Sequence, residues 1–170
     1  MSILKYEMRA MFEKKYNQTI LGPQSMLEDG TLRQIAYLSF LNPYVFPELD
    51  FKVLCVKSYA SKKRIYSCCS SNQDISECAA ALIFFTNTEK LKNTDYGSKL
   101  SLLNVSLMYS CLINQVDYEI LKIDNYQSLK DYFKFADNLK IQTIIALGYF
   151  KNTTINTDKF IKYDEAVKEV

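Results

Sequence analysis

Chemistry that needs an imidazole is closed to this chain. Its 170 residues contain no histidine, which excludes Ser-His-Asp and Cys-His catalysis and any histidine-ligated metal. Thiol chemistry would have to come from five cysteines, Cys55, Cys68, Cys69, Cys78 and Cys111. None belongs to a CxxC pair and their number is odd, so neither a zinc site nor a disulfide framework is expected. Cys55, Cys78 and Cys111 stand inside apolar segments and read as reduced core thiols. The vicinal pair Cys68-Cys69 is the remaining candidate for redox chemistry, with no spacing motif behind it.

Apolar residues make up 48% of the chain and charged ones 24%, the balance of a single domain with one sizeable core. A net charge of +2 leaves no electrostatic footprint for nucleic acid or an anionic membrane, and neither partner is expected. The opening residues "MSILKYEMRAMFEKK" carry acidic side chains and no long apolar run, unlike a signal peptide. The longest clean apolar run, Ala79 to Phe85, is too short to span a bilayer. A cytoplasmic protein is the expectation.

The elements that would position a site follow from periodicity. Ser2 to Tyr16 reads as a helix ending in a basic turn. Thr31 to Leu41 is helical in spacing, with Asp29 or Thr31 as its cap, and Asn42-Pro43 stops it. Phe51 to Val56 reads as a strand, Ser61 to Cys69 as a short helix, and Ala79 to Thr86 as a central strand. Ser98 to Ile113 is the longest helix and is apolar in nearly every direction, so it should be buried on all sides. One domain of this size can hardly surround it, and a partner subunit is the natural cover. Asp117 to Ile123 alternates as a strand, and Asp124 with Gln127 resembles a capping box opening the helix Gln127 to Phe135. Thr143 to Phe150 is the last strand, and its apolar run closes on Gly148-Tyr149 before a polar tail of twenty residues. Interleaved helices and strands with a small sheet predict an α+β or three-layer sandwich.

Four segments in this order resemble the nitroreductase family of flavoproteins. "SNQDISECAAALIFFTN" resembles the family's Asn-Gln and the strand that follows. "KLSLLNVSLMYSCLI" resembles the long helix that its members bury between subunits. "INQVDYEILKIDNYQSLKDYFKF" resembles the stretch written Leu-Gly-Leu…Gly-Phe-Asp with its short helix. "TIIALGYF" resembles the final strand closing on Gly-Tyr. Together they cover about residues 71 to 150, and each motif alone is weakly specific.

The resemblance implies a three-layer α/β/α sandwich with a mainly antiparallel sheet, one domain over 1–170, and an intertwined homodimer. It also implies that about 151–170 extends to the partner subunit. FMN would lie at the dimer interface, with NAD(P)H as hydride donor and a nitroaromatic, quinone or similar acceptor. The family's Arg-Arg-Ser-x-Arg turn corresponds to "EKKYNQTI". There Lys14 or Lys15 replaces an arginine, Tyr16 the serine and Gln18 the last arginine. A lysine still binds phosphate as a point charge but offers no bidentate fork. Of the Pro-Ser-Ser-x-Asn-x-Gln-Pro-Trp loop, "LSFLNPYVFPELDF" keeps Ser39 and Asn42 only. Asn72 and Gln73 match the family's Asn-Gln. Leu121 and Lys122 fall where the family donates backbone amides near the flavin N5 from a glycine-containing pair. Lys159 and Lys162 in the tail would meet the flavin phosphate. Asn104, in the long helix, has a flavin contact or an interface hydrogen bond as its two readings.

Because the isoalloxazine carries the redox chemistry, missing histidine is no obstacle and no catalytic side chain is assigned. Each of these residues also has a plain structural reading, such as lysines meeting a helix C-terminus or a solvated tail. The lost arginines and Gln-Pro-Trp keep a second reading open: a repurposed, non-catalytic dimer of the same fold with weak or lost flavin binding. Only Asn87 to Gly97 separates strand from long helix, which leaves little room for a lid.

Overall fold

A computed structural model of the chain describes residues 21–22, 27–40, 51–70, 78–91 and 96–150, all within the compact unit Thr19–Lys151. The expected helix Ser2 to Tyr16 and the tail 151–170 lie outside the described residues. Among the described residues there are six strands: β1 (Leu21–Gly22), β2 (Lys52–Val56), β3 (Cys69–Ser70), β4 (Ala80–Asn87), β5 (Asp117–Ile123) and β6 (Leu139–Phe150). Four α-helices accompany them: α1 (Asp29–Phe40), α2 (Tyr59–Cys68), α3 (Tyr96–Ile113) and α4 (Tyr126–Phe133). None of these helices is long and apolar enough to cross a membrane.

The strands run β2-β4-β6-β5-β3, every pairing antiparallel, with β1 added to the Tyr149–Phe150 end of β6. Register decides which side chains share a face. Val53, Leu82, Thr143 and Ile145 lie on one face, and Leu54, Ile83, Ile144 and Leu121 on the other. The second face packs on Ile65 and Cys68 of α2 and Leu129 of α4 in one buried cluster. The first face carries α1 and α3, which pack against each other through a long seam and bury Leu32, Ile35, Leu103 and Leu107. With a helical layer on each side, β4 and β6 are buried on both faces. That accounts for the unbroken apolar runs "AALIF" and "IIAL". The expected three-layer α/β/α sandwich is the observed architecture.

Local chemistry sets the boundaries. Ser58 caps α2 by accepting the Ser61 N–H at 3.2 Å. α4 is capped by Asn125, which accepts the Ser128 N–H at 3.1 Å, and not by the Asp124-Gln127 box. Asp124 instead accepts from the Ser70 hydroxyl at 3.1 Å. Asp29 and Thr31 are not caps either: α1 already begins at Asp29, and the Glu28 carbonyl accepts the Leu32 N–H at 3.1 Å. At the other end of α4, Lys134 adopts φ 54° and closes the helix in the left-handed conformation.

One extra residue, Gln142, bulges from β6 between the pairs Phe85–Ile141 and Phe84–Thr143. Beyond the bulge, β5 has ended and the β6 backbone needs another partner. Tyr126 of α4 supplies it, donating to the Leu139 carbonyl at 3.3 Å and accepting the Ile141 N–H at 3.1 Å. Tyr126→Phe strands both backbone groups and should cost about 1–3 kcal/mol, read as a lower urea midpoint at unchanged slope.

Candidate functional site

The long helix α3 is amphipathic in position if not in composition. Leu103, Leu107 and Cys111, spaced by four, are fully buried against the chain's own core. Val105, Tyr109 and Ile113, at the same spacing on another side, are exposed, Ile113 by 66%. Tyr37 of α1, the helix beside it, is exposed by 63%. Burial of α3 on all sides is expected only with a partner subunit as cover; among the described residues the single chain covers one side and leaves an apolar stripe open. An exposed apolar stripe of this kind is a candidate interaction surface.

Strand β5 carries the second feature. Tyr118, Ile120 and Lys122 alternate onto the α1/α3 side of the sheet, since Tyr118 pairs with Leu147 and Ile120 with Ile145. Cover thins along the strand. Tyr118 is buried, which pushes its hydroxyl pKa up to about 12, chiefly through desolvation. Ile120 is 41% exposed, and Lys122 is exposed. The result is an apolar ledge ending in a cation, placed on the sheet where the helical layer stops. The alternation in "DYEILKI" contained this signal, but the sequence reading singled out Leu121 and Lys122 and missed Ile120.

Backbone direction along β5 decides which amides remain for a ligand. Asp124 donates its N–H to the Cys68 carbonyl at 3.0 Å, which makes Ser70 and Lys122 the pair exchanging both ladder bonds. Alternation then turns the Leu121 N–H toward β6, where Ile144 is its partner. Both amides that the resemblance assigns to the flavin thus lie inside the sheet. The backbone of Ile120 faces the β3 side, where it pairs with no described strand.

Ser39 sits in the last turn of α1, wholly buried. Its hydroxyl donates to the Ile35 and Ala36 carbonyls at 2.7 and 2.9 Å, the back-bonding common for a helical serine. It is turned into its own helix rather than toward the β5 ledge. Lys14, Lys15, Tyr16, Gln18, Asn42, Asn72, Gln73, Lys159 and Lys162 lie outside the described residues. Of the three expected contacts that are described, the Ser39 hydroxyl and the Leu121 and Lys122 amides are hydrogen-bonded within the fold, and the Lys122 side chain is exposed. Asn104 of α3 buries its side-chain oxygen without a hydrogen bond from any described residue.

The cysteines are all free thiols. Cys68, Cys69, Cys78 and Cys111 are buried, whereas Cys55 is exposed on β2, which corrects its reading as a core thiol. Burial pushes the Cys69 pKa up to about 12, with neighbouring Cys68 and Asp124 adding to the shift. A thiol so protonated makes a poor nucleophile, and both thiols of the vicinal pair are buried. No cluster of His, Cys, Asp and Glu among the described residues could hold a metal ion.

No family model and no curated protein matches this sequence. Solved structures do match the fold. A nitroreductase-like protein of Streptococcus mutans superposes with a TM-score of 0.74 at 9% identity, covering 99% of each chain. An FMN-dependent nitroreductase of Clostridium difficile gives 0.70 at 13% identity, over 90% of this chain and 95% of its own. A Clostridium acetobutylicum protein assigned as an NADH oxidase gives 0.71 at 13%, over 89% and 94%. Likeness this complete, at identities this low, is a likeness of architecture: the chain has the nitroreductase fold.

Proposed function

We propose that this chain is an FMN-dependent oxidoreductase of nitroreductase type, acting as a homodimer and taking hydride from NAD(P)H. The observation that carries the reading is the uncovered apolar stripe of α3 in a fold shared along most of the chain with an FMN-dependent nitroreductase. The similarity to a protein assigned as an NADH oxidase supports a nicotinamide donor. When bound, FMN would accept a hydride from the nicotinamide and pass it to a nitroaromatic, quinone or similar acceptor.

The chain's own residues would bind and orient. Lys14 or Lys15, Tyr16 and Gln18, with Lys159 and Lys162 of a partner-reaching tail, would hold the phosphate and ribityl chain. Asn42, Asn72 and Gln73 would supply polar contacts. Ile120 gives a flat apolar rest at the sheet's edge. Lys122 is the described cation that can complement negative charge on a ring lying there. Ser39 and the Leu121 amide do not fit that task, for the reasons of geometry given above.

Those two misfits favour a second reading, a repurposed dimer of this fold with weak or lost flavin binding. Titration of purified protein with FMN separates the two. The leading reading expects sub-micromolar quenching of flavin fluorescence and bleaching on addition of NAD(P)H. It also expects Lys15→Ala to weaken binding about tenfold, the worth of one charge-assisted phosphate contact. A colourless dimer indifferent to FMN would establish the second reading, and a colourless monomer would remove both.

A further inference from the structure

A cleft of about 390 Å³ opens between α1 and the β2–β4 edge of the sheet, lined by Asp29, Leu32, Arg33, Ala36, Val53, Cys55, Lys57 and Leu82. It involves neither the β5 ledge nor the exposed stripe of α3. Its wall is apolar: Leu32 and Leu82 are buried, and Val53, Ala36 and the Cys55 thiol continue the surface. Its rim is charged. Lys57 pairs with Asp29 from across the cleft, and Arg33 stands one helical turn beyond Asp29 on the same side of α1. The Asp29 carboxyl is held below the usual range by Lys57 first, with Arg33 adding a smaller effect, so both cations act on the same space. Two cations against one carboxylate leave a net positive rim over an apolar wall.

We propose that this cleft binds a small organic carboxylate with a flat apolar body. The body lies on Leu32, Val53 and Leu82. The carboxylate is taken by the Arg33 guanidinium, whose planar donors suit two oxygens at once, while Lys57 turns from Asp29 toward it. The volume lies at the small end of ligand pockets and suits a single substituted ring rather than a nucleotide. Cys55 at the wall reports occupancy, since it is the exposed one of the five cysteines.

Benzoate is the probe, with benzamide as its uncharged counterpart, on the full chain both with and without FMN. Benzoate should shift the backbone amide signals of Arg33, Val53 and Cys55 saturably and slow alkylation of Cys55 by N-ethylmaleimide at least fivefold. Benzamide should bind at least tenfold more weakly. Arg33→Gln should weaken benzoate at least tenfold and Arg33→Lys by less, because lysine keeps the charge without the planar fork; Arg33 is exposed, so neither change removes a core contact. Shifts that do not saturate, equal binding of benzamide, or indifference to Arg33→Gln would each overturn the proposal. Flavin fluorescence is followed in the same samples: benzoate that displaces FMN would put the ligand in the flavin pocket and overturn the separate site. The benzoate result stands whether or not FMN binds.

Discussion

Val105→Asp combined with Tyr109→Asp is expected to convert the proposed homodimer to a monomer and to abolish the proposed retention of FMN. Both side chains are exposed on the chain itself, Val105 by 44% and Tyr109 by 41%, and neither belongs to its buried core. Far-UV dichroism and the thermal midpoint of the monomer should hardly move. Between two copies the same positions would be desolvated. Truncating a central interface residue typically costs about 2–4 kcal/mol, and each buried aspartate adds an unpaired charge. Two such changes should raise the dissociation constant by at least about a thousandfold, using 1.4 kcal/mol per decade. Light scattering at micromolar protein then reads one chain mass instead of two, and filtration separates the flavin. A wild-type protein that scatters as a monomer would defeat the interface outright. A double variant that remains dimeric would move the interface off α3.

How much of this was legible in the sequence depended on whether the information was local. Asp117 to Ile123 was read to the residue, because polar residues at Asp117, Glu119 and Lys122 interrupt a run of strand-forming ones and a turn flanks it on either side. The helix ends were read less well. Asp124 carries the right side chain for a cap, but Ser70 claims it from 54 residues away and Asn125 takes the role. The strand β3 has two residues and no period to detect. Cys55 looked like a core thiol amid "KVLCV", yet β2 is an edge strand whose outer parts the α1 layer does not cover. The composition of α3 said that every side wanted cover, and only the structure could say which side this chain provides. For the site, a resemblance supplied residue types, whereas ladder register decided that the Leu121 amide points into the sheet. Register is a property of the paired strands and is not written in either one.

Phe84→Ala should be the most damaging single truncation, because the largest fully buried side chain of the central strand β4 fills the space between the sheet and one helical layer. Phe84 is fully buried in β4, with Val53 beside it on β2 and Thr143 on β6, on the face that α1 and α3 cover. Its ring cannot be replaced by water, since the neighbouring wall is apolar and the strands on either side are fixed by hydrogen bonds. The bulge at Gln142 immediately follows its pairing with Thr143, so the backbone has little freedom to collapse into the void. The expected loss is about 3–5 kcal/mol, transfer and cavity effects together. Against a total of roughly 5–15 kcal/mol for a domain, this is a third of the stability or more. Urea unfolding followed by tyrosine fluorescence should show a lower midpoint with the slope preserved. Tyr37→Ala on the same helical layer, exposed by 63%, should stay within about 0.5 kcal/mol in the monomer. If Phe84→Ala cost less than about 1 kcal/mol, β4 could not be tightly packed against the α1/α3 layer. The α3 stripe would then lose the rigid support that any interface on it requires.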